Sequence, residues 1–158
     1  MNKTNDTNKS KIISISKIIS MKVLKFGGTS VGSSENISKV TKIVINESEK
    51  SSIIVVVSAV GGITNKLISA SSKAVDKNLD YKNDIKKIKT QHEKIIDNLL
   101  NGNSLLETKE IVSEKLSELE NLLDGIYLIN EISAKTSDKL LSYGELISSL
   151  IIFEYMQQ

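Results

Sequence analysis

Two short apolar runs, each leading directly into a glycine-bearing loop, constrain this chain more than any other feature. Lys22–Phe26 (KVLKF) runs into Gly27-Gly28-Thr29-Ser30, and the β-branched run Ile53–Val57 (IIVVV) runs into Ser58–Asn65 (SAVGGITN). Between them, Gly32-Ser33-Ser34-Glu35 has helix-start chemistry: a hydroxyl for the cap and an acid for the first turn. Ile37, Val40 and Val44 then recur at the spacing of one helical face. Strand, helix and strand within about 35 residues predict a βαβ unit with parallel strands and a right-handed crossover. The unbroken β-branched run further predicts that the second strand is buried on both faces. The fold class is therefore α/β, with a mainly parallel sheet.

The rest of the chain reads as helix. One helix is expected from about Thr64 to Val75. Ile85, Ile88, His92, Ile95 and Leu99 form a second stripe, followed by a break at Asn101-Gly102-Asn103. Ser104-Leu105-Leu106-Glu107 has the spacing of a capping box. Val112, Leu116, Leu119, Leu123 and Ile126 make the stripe of the next helix, so a long helical hairpin is inserted here. Thr136–Met156 is expected to be helical with an interruption at Tyr143-Gly144. Residues 1–20 differ from all of this. Their first half is polar and reads as disordered, and lysine mixed with isoleucine and serine follows. They read as an upstream extension before a natural start at Met21, with an amphipathic targeting segment as the alternative.

Composition removes several classes of function. The chain has 158 residues, 39% hydrophobic and 25% charged, with a net charge of +2. That balance argues against a nucleic-acid partner, whose binding needs a concentrated basic face. No apolar run approaches the roughly 20 residues that span a bilayer. The absence of cysteine excludes disulfides, thiolate metal sites and a cysteine nucleophile. A single histidine, His92, excludes a multi-histidine metal site. All 21 basic residues are lysine, so no guanidinium fork for a carboxylate or phosphate is present.

In an open parallel sheet, ligands bind outside the carboxyl ends of the strands. Both glycine loops leave those ends and should lie side by side. Lys25, Gly27, Gly28, Thr29 and Ser30 have the parts of a phosphate cradle: a point charge, backbone amides that can approach an anion, and a following helix N-terminus. The lysine precedes the glycines, so this is not a Walker A loop. A plain strand-to-helix turn accounts for the same residues equally well. Ser58 and Thr64 place hydroxyls at the same edge, and by local logic Thr64 caps its helix. Glu145, directly after Gly144, fits the dipole of a first helical turn better than a ligand contact. His92 lies on an apolar stripe and receives no role. Lys82, Lys86, Lys87, Lys89 and Lys94 read as a solvated helix face.

Three segments resemble the aspartate kinases, members of the amino acid kinase superfamily. They are MKVLKFGGTSVG (21–32), VVVSAVGGITNKL (55–67) and SDKLLSYGELISSL (137–150), in order and with plausible spacing. The resemblance covers 21–158, which reads as the N-terminal part of an amino acid kinase domain. The helical insert looks most like the kinase half of bifunctional aspartokinase–homoserine dehydrogenases. The resemblance implies a three-layer sandwich, of which this chain holds only the N-terminal portion. It also implies transfer of a phosphoryl group from ATP with Mg2+ to the β-carboxylate of L-aspartate, opening lysine, threonine and methionine biosynthesis.

By the same resemblance, Lys25 lies against the transferring phosphates, Gly27 and Gly28 offer backbone donors, and Thr29 and Ser30 line that pocket. Ser58 and Thr64 stand near the reacting carboxylate, and Glu145 receives the substrate's ammonium. No residue of the chain is assigned to the metal. A carboxylate is already an ionised nucleophile, so no general base is required. The resemblance further implies a cytoplasmic homo-oligomer. Family kinase domains are longer, and their later half carries the nucleotide pocket and a substrate-clamping arginine. The chain therefore reads as an N-terminal fragment that is inactive alone. The alternatives are another amino acid kinase, which GGTS and SYGE argue against, and a non-catalytic interaction module built on the helical hairpin.

Overall fold

The computed structural model describes residues 21–158. The expectations for residues 1–20 lie outside that range. β1 (Met21–Phe26) and β2 (Ser52–Val57) form a two-stranded parallel sheet in the register Met21↔Ser52 through Phe26↔Val57. Helix α1 (Ser34–Ser48) makes the crossover. It starts where the sequence places it: Ser33 has extended backbone, and its hydroxyl accepts the Asn36 amide at 3.3 Å. Ile37, Val40 and Val44 are buried, as their spacing predicts. At its other end Glu47 accepts from Lys22 of β1 at 2.6 Å and from Lys50 at 2.9 Å. These two ammonium groups hold the Glu47 carboxyl down at about 2.

Side chains of paired residues in a parallel register share a face. Leu24, Phe26, Ile53, Val55 and Val57 are half-buried on the face that carries the helices. Met21, Val23, Ile54 and Val56 stand on the other face, where Ile54 is 46% and Val56 42% exposed. The expectation that β2 is buried on both faces is therefore corrected. Among the described residues, helices pack on one side of the sheet only, so the apolar alternation of β2 has one covered and one open surface. Two layers of the sandwich are present here.

The remaining helices are α2 (Ile63–Val75), α3 (Tyr81–Leu99), α4 (Gly102–Ile129) and α5 (Ala134–Gln157). Their stripes meet in one core, with Leu67, Ile88, Ile96, Leu119, Leu123 and Ile151 completely enclosed. Every residue of the predicted α3 and α4 stripes is buried. Two local expectations fail. The capping box at Ser104 does not form, because α4 begins earlier: Gly102 adopts φ +57°, and the Asn101 carbonyl accepts from Leu105. The interruption at Tyr143-Gly144 is also absent, and α5 runs straight through both residues. Buried contacts along α5 outweigh the roughly 1 kcal/mol that a glycine costs inside a helix. Among the described residues no helix is long and apolar enough to cross a membrane.

Candidate active site

The first loop folds tightly as it leaves β1. The Ser30 and Val31 amides donate to the Gly27 carbonyl at 2.9 and 3.2 Å. Val31 is fully buried and anchors the turn. The second loop begins beside it, with the Ser58 amide donating to the Phe26 carbonyl at 3.0 Å, and Ala59 and Val60 buried beneath. The two loops then touch backbone to backbone. A Cβ added to Gly28 would stand 2.9 Å from the Ala59 carbonyl oxygen, and one added to Gly61 would stand 3.3 Å from that of Gly28. The side-by-side placement expected from parallel topology is thus realised, and Gly28 has a packing reason to be glycine. Gly27 has none: a Cβ there would meet nothing within 4 Å. The amides of Gly28 and Thr29 donate to no acceptor among the described residues.

Lys25 pairs in register with Val56, so it stands on the open face of the sheet. It is exposed, and its ammonium enters none of the ion pairs among the described residues. Thr29 and Ser30 line a groove of about 380 Å³ with Phe26, Asn36, Lys39 and Val40, on the helix-covered side. The two halves of the first motif therefore straddle the end of β1 and do not share one cavity. Asn36 steadies this loop by donating from Nδ2 to the Thr29 carbonyl at 3.0 Å.

The two helix N-termini at this edge differ. At α1 an acid, Glu35, lies in the first turn, and hydrogen bonds from the Ser33 hydroxyl and its own amide hold its carboxyl below its ordinary value. At α2 the cap position is Gly62, at φ +81°, with no side-chain cap and no acid in the first turn. Thr64 is consequently not the cap. It sits inside the first turn with its side chain exposed, near an uncapped helix end. Ser58 is half-buried at the start of the same loop.

The third motif reaches this edge through α5. A Cβ on Gly144 would stand 2.8 Å from the Cβ of Ala59, 3.4 Å from Cδ1 of Leu67 and 3.5 Å from Cγ2 of Ile63. Glycine is what lets α5 lie directly on the second loop. Glu145, the next residue, is exposed and lies deep inside α5. A first-turn dipole role is thereby removed. Tyr143 anchors the same segment by donating to Glu118 of α4 at 3.1 Å; burial and then that carboxylate push its hydroxyl pKa up.

One residue at the site escaped the sequence reading. Gln91, on α3, donates from Nε2 to the Gly61 carbonyl at 3.0 Å, and its Oε1 accepts from the Lys66 ammonium. The only available signal was a polar residue at the edge of an apolar stripe. Its neighbour His92 is completely buried, with Nδ1 2.9 Å from the Ile88 carbonyl, and burial pushes its pKa down to about 4. It faces the core and not the loops. No group of three or more acidic or histidine side chains able to hold a metal ion occurs among the described residues.

Comparison with known proteins extends this geometry. The sequence profile of the amino acid kinase family matches residues 20–158. Aspartokinase 1, chloroplastic, of Arabidopsis thaliana is 36% identical over 137 residues, covering 85% of this chain and 23% of that protein. The bifunctional aspartokinase/homoserine dehydrogenase of Buchnera aphidicola is 31% identical over 140 residues, covering 87% of this chain and 17% of that protein. The crystal structure of E. coli aspartokinase III in complex with aspartate and ADP matches with a TM-score of 0.74 at 26% identity, over 87% of this chain and 29% of that one. The chain thus spans between 17% and 29% of the length of these relatives. With both glycine loops and the α5 glycine inside the matched region, the chain belongs to the amino acid kinase family.

Proposed function

We propose that the chain forms the aspartate-side part of an aspartate kinase, which transfers the γ-phosphoryl group of ATP to the β-carboxylate of L-aspartate. A carboxylate oxygen forms a bond to the γ-phosphorus, the bond to the β,γ-bridging oxygen breaks, and ADP leaves with that electron pair. The products are 4-phospho-L-aspartate and ADP, and no proton has to be removed from the nucleophile. The buried, core-facing His92 is consistent with a reaction that needs no imidazole base.

The observation that carries this reading is the meeting of three segments at one sheet edge. Gly28 touches Ala59 and Gly61, and Gly144 of α5 lies on Ala59. Charge in a loose phosphoryl-transfer transition state spreads over the phosphoryl oxygens, and a fixed ammonium with backbone donors opposes it. Lys25 supplies the ammonium and the Gly27 and Gly28 backbone the donors, while Thr29 and Ser30 bring their hydroxyls from the opposite side of the strand end. Ser58 and Thr64 serve the reacting carboxylate beside the uncapped end of α2. Glu145 pairs with the substrate ammonium. Mg2+ enters as part of the nucleotide complex. The reading places the enzyme at the head of lysine, threonine and methionine biosynthesis, as a cytoplasmic homo-oligomer.

Trapping of the acyl phosphate by hydroxylamine tests it. The full-length protein with ATP and L-aspartate should yield aspartyl hydroxamate. Lys25→Ala should lower turnover by roughly a thousandfold, and Glu145→Gln should chiefly raise the aspartate KM. Hydroxamate formed only from a different carboxylate would replace the aspartate assignment with another amino acid kinase. Wild-type turnover in Lys25→Ala would remove Lys25 from the reaction.

A further inference from the structure

The peptide joining Gly61 to Gly62 is held from one side, by a residue outside all three motifs. Gln91 donates to the Gly61 carbonyl at 3.0 Å, while Lys66 of α2 donates to the carboxamide oxygen of Gln91. An ammonium can only donate, so it takes the oxygen and leaves the amide NH2 for the loop. Lys66 therefore decides which end of the Gln91 side chain faces Gly61. A trans peptide points its N–H opposite to its C=O. Pinning the Gly61 oxygen towards α3 turns the Gly62 amide away from α3. That amide has no acceptor among the described residues, Gly62 is exposed, and a Cβ built on it would meet nothing within 4 Å. Glycines flank this peptide on both sides, so the local backbone alone does little to stop it turning over. Gly61 is also the point of contact with the first loop.

We propose that Gln91, oriented by Lys66, is a positioning residue that fixes the Gly61–Gly62 peptide so that the Gly62 amide donates to an anionic oxygen of the bound substrate. The inference rests on the aspartate kinase reading of the two loops. It treats the open end of α2 as a donor that is aimed from behind.

Steady-state kinetics of the full-length protein, with melting temperatures alongside, test the proposal. Gln91→Leu removes both hydrogen bonds. Gln91→Glu keeps a partner for Lys66 but sets a carboxylate oxygen against the Gly61 carbonyl. Both should lower kcat/KM for aspartate by roughly ten- to hundredfold, with Gln91→Glu at least as impaired and melting temperatures within about 2 °C of wild type. Lys66→Met frees the carboxamide to flip; its loss should be smaller and non-additive with that of Gln91→Leu. The Gly62 amide resonance should shift on aspartate binding in the wild type and not in Gln91→Leu. Wild-type kcat/KM in Gln91→Glu, or losses that track the melting temperature in every variant, would overturn the proposal. If the wild type phosphorylates no aspartate, the reading of the site fails. Backbone 15N relaxation at Gly62 then still tests the clamp: an unchanged order parameter in Gln91→Leu overturns it, and a lowered one supports it.

Discussion

Gly144, deep inside α5, and Ala59, in the second glycine loop, approach so closely that a methyl group on the glycine would lie 2.8 Å from the alanine Cβ. This contact seats the third motif on the second. It also explains a glycine in a helix that runs on unbroken to either side.

Replacing Gly144 by alanine sets two effects against each other. Alanine is the better helix former by about 1 kcal/mol, whereas forcing a methyl into a packed contact costs about 1–3 kcal/mol. Ala59 is buried and cannot move aside, so the clash should win. Chemical denaturation should show Gly144→Ala less stable than wild type, and adding Ala59→Gly should recover the loss. A more stable Gly144→Ala would mean that α5 does not press on the loop.

The neighbouring glycines of the first loop should part company under the same substitution. Gly28→Ala drives a methyl against the Ala59 carbonyl oxygen, 2.9 Å away, and should destabilise by about 1–3 kcal/mol. Gly27→Ala meets nothing within 4 Å and should stay within about 0.5 kcal/mol of wild type. If the loop holds phosphates, Gly27→Ala should still lose turnover in the hydroxamate assay, separating a ligand role from a packing role.

His92 should make stability fall on mild acidification. Its folded pKa of about 4 lies below the ordinary 6.5, so between those values the unfolded chain binds the proton and the folded one does not. The contribution is complete above pH 6.5 and is lost as pH falls towards 4, to the extent of roughly 3 kcal/mol. His92→Leu also removes a buried Nε2 that has no hydrogen-bond partner. Urea midpoints across this window should fall steeply for wild type and flatten in His92→Leu. Parallel slopes would show that other groups carry the acid sensitivity.

Asp84 is a buried carboxylate that ties α2 to α3, accepting from Ser69 at 2.9 Å and from Lys73 at 2.7 Å. Asp84→Ala strands the Ser69 hydroxyl, although Lys73 keeps Asp80 at 3.0 Å. The expected cost is about 1–3 kcal/mol, below that of a fully enclosed ion pair because Lys73 retains a partner and some solvent. Thermal unfolding of Asp84→Ala beside Ser69→Ala measures it. A change under about 0.5 kcal/mol would show that the network adds nothing.

Much of this was legible because it is local. The stripes of α1, α3 and α4 lie on helical spacing, and each of their residues is buried. The hydroxyl cap of α1 falls on Ser33 because a cap is written within a few adjacent residues. Even the meeting of the two glycine loops followed from the chain alone, since a parallel pair must bring both carboxyl ends to one edge. What could not be read depended on residues far apart in sequence. Nothing near Gly144 announces Ala59, so the glycine resembled a helix break. Nothing near Gln91 announces Gly61.

The amino-acid sequence by itself determined the βαβ unit, the helical stripes and the residue types gathered at the loops, because hydrophobic period and turn chemistry act over a few neighbours. Only the tertiary structure decided the rest. It left one face of the sheet open, set Lys25 and Thr29 on opposite sides of the strand end, and made Gly62 rather than Thr64 the cap of α2. Those outcomes depend on which surfaces are covered and how closely two backbones can approach. Both are properties of packing between distant segments.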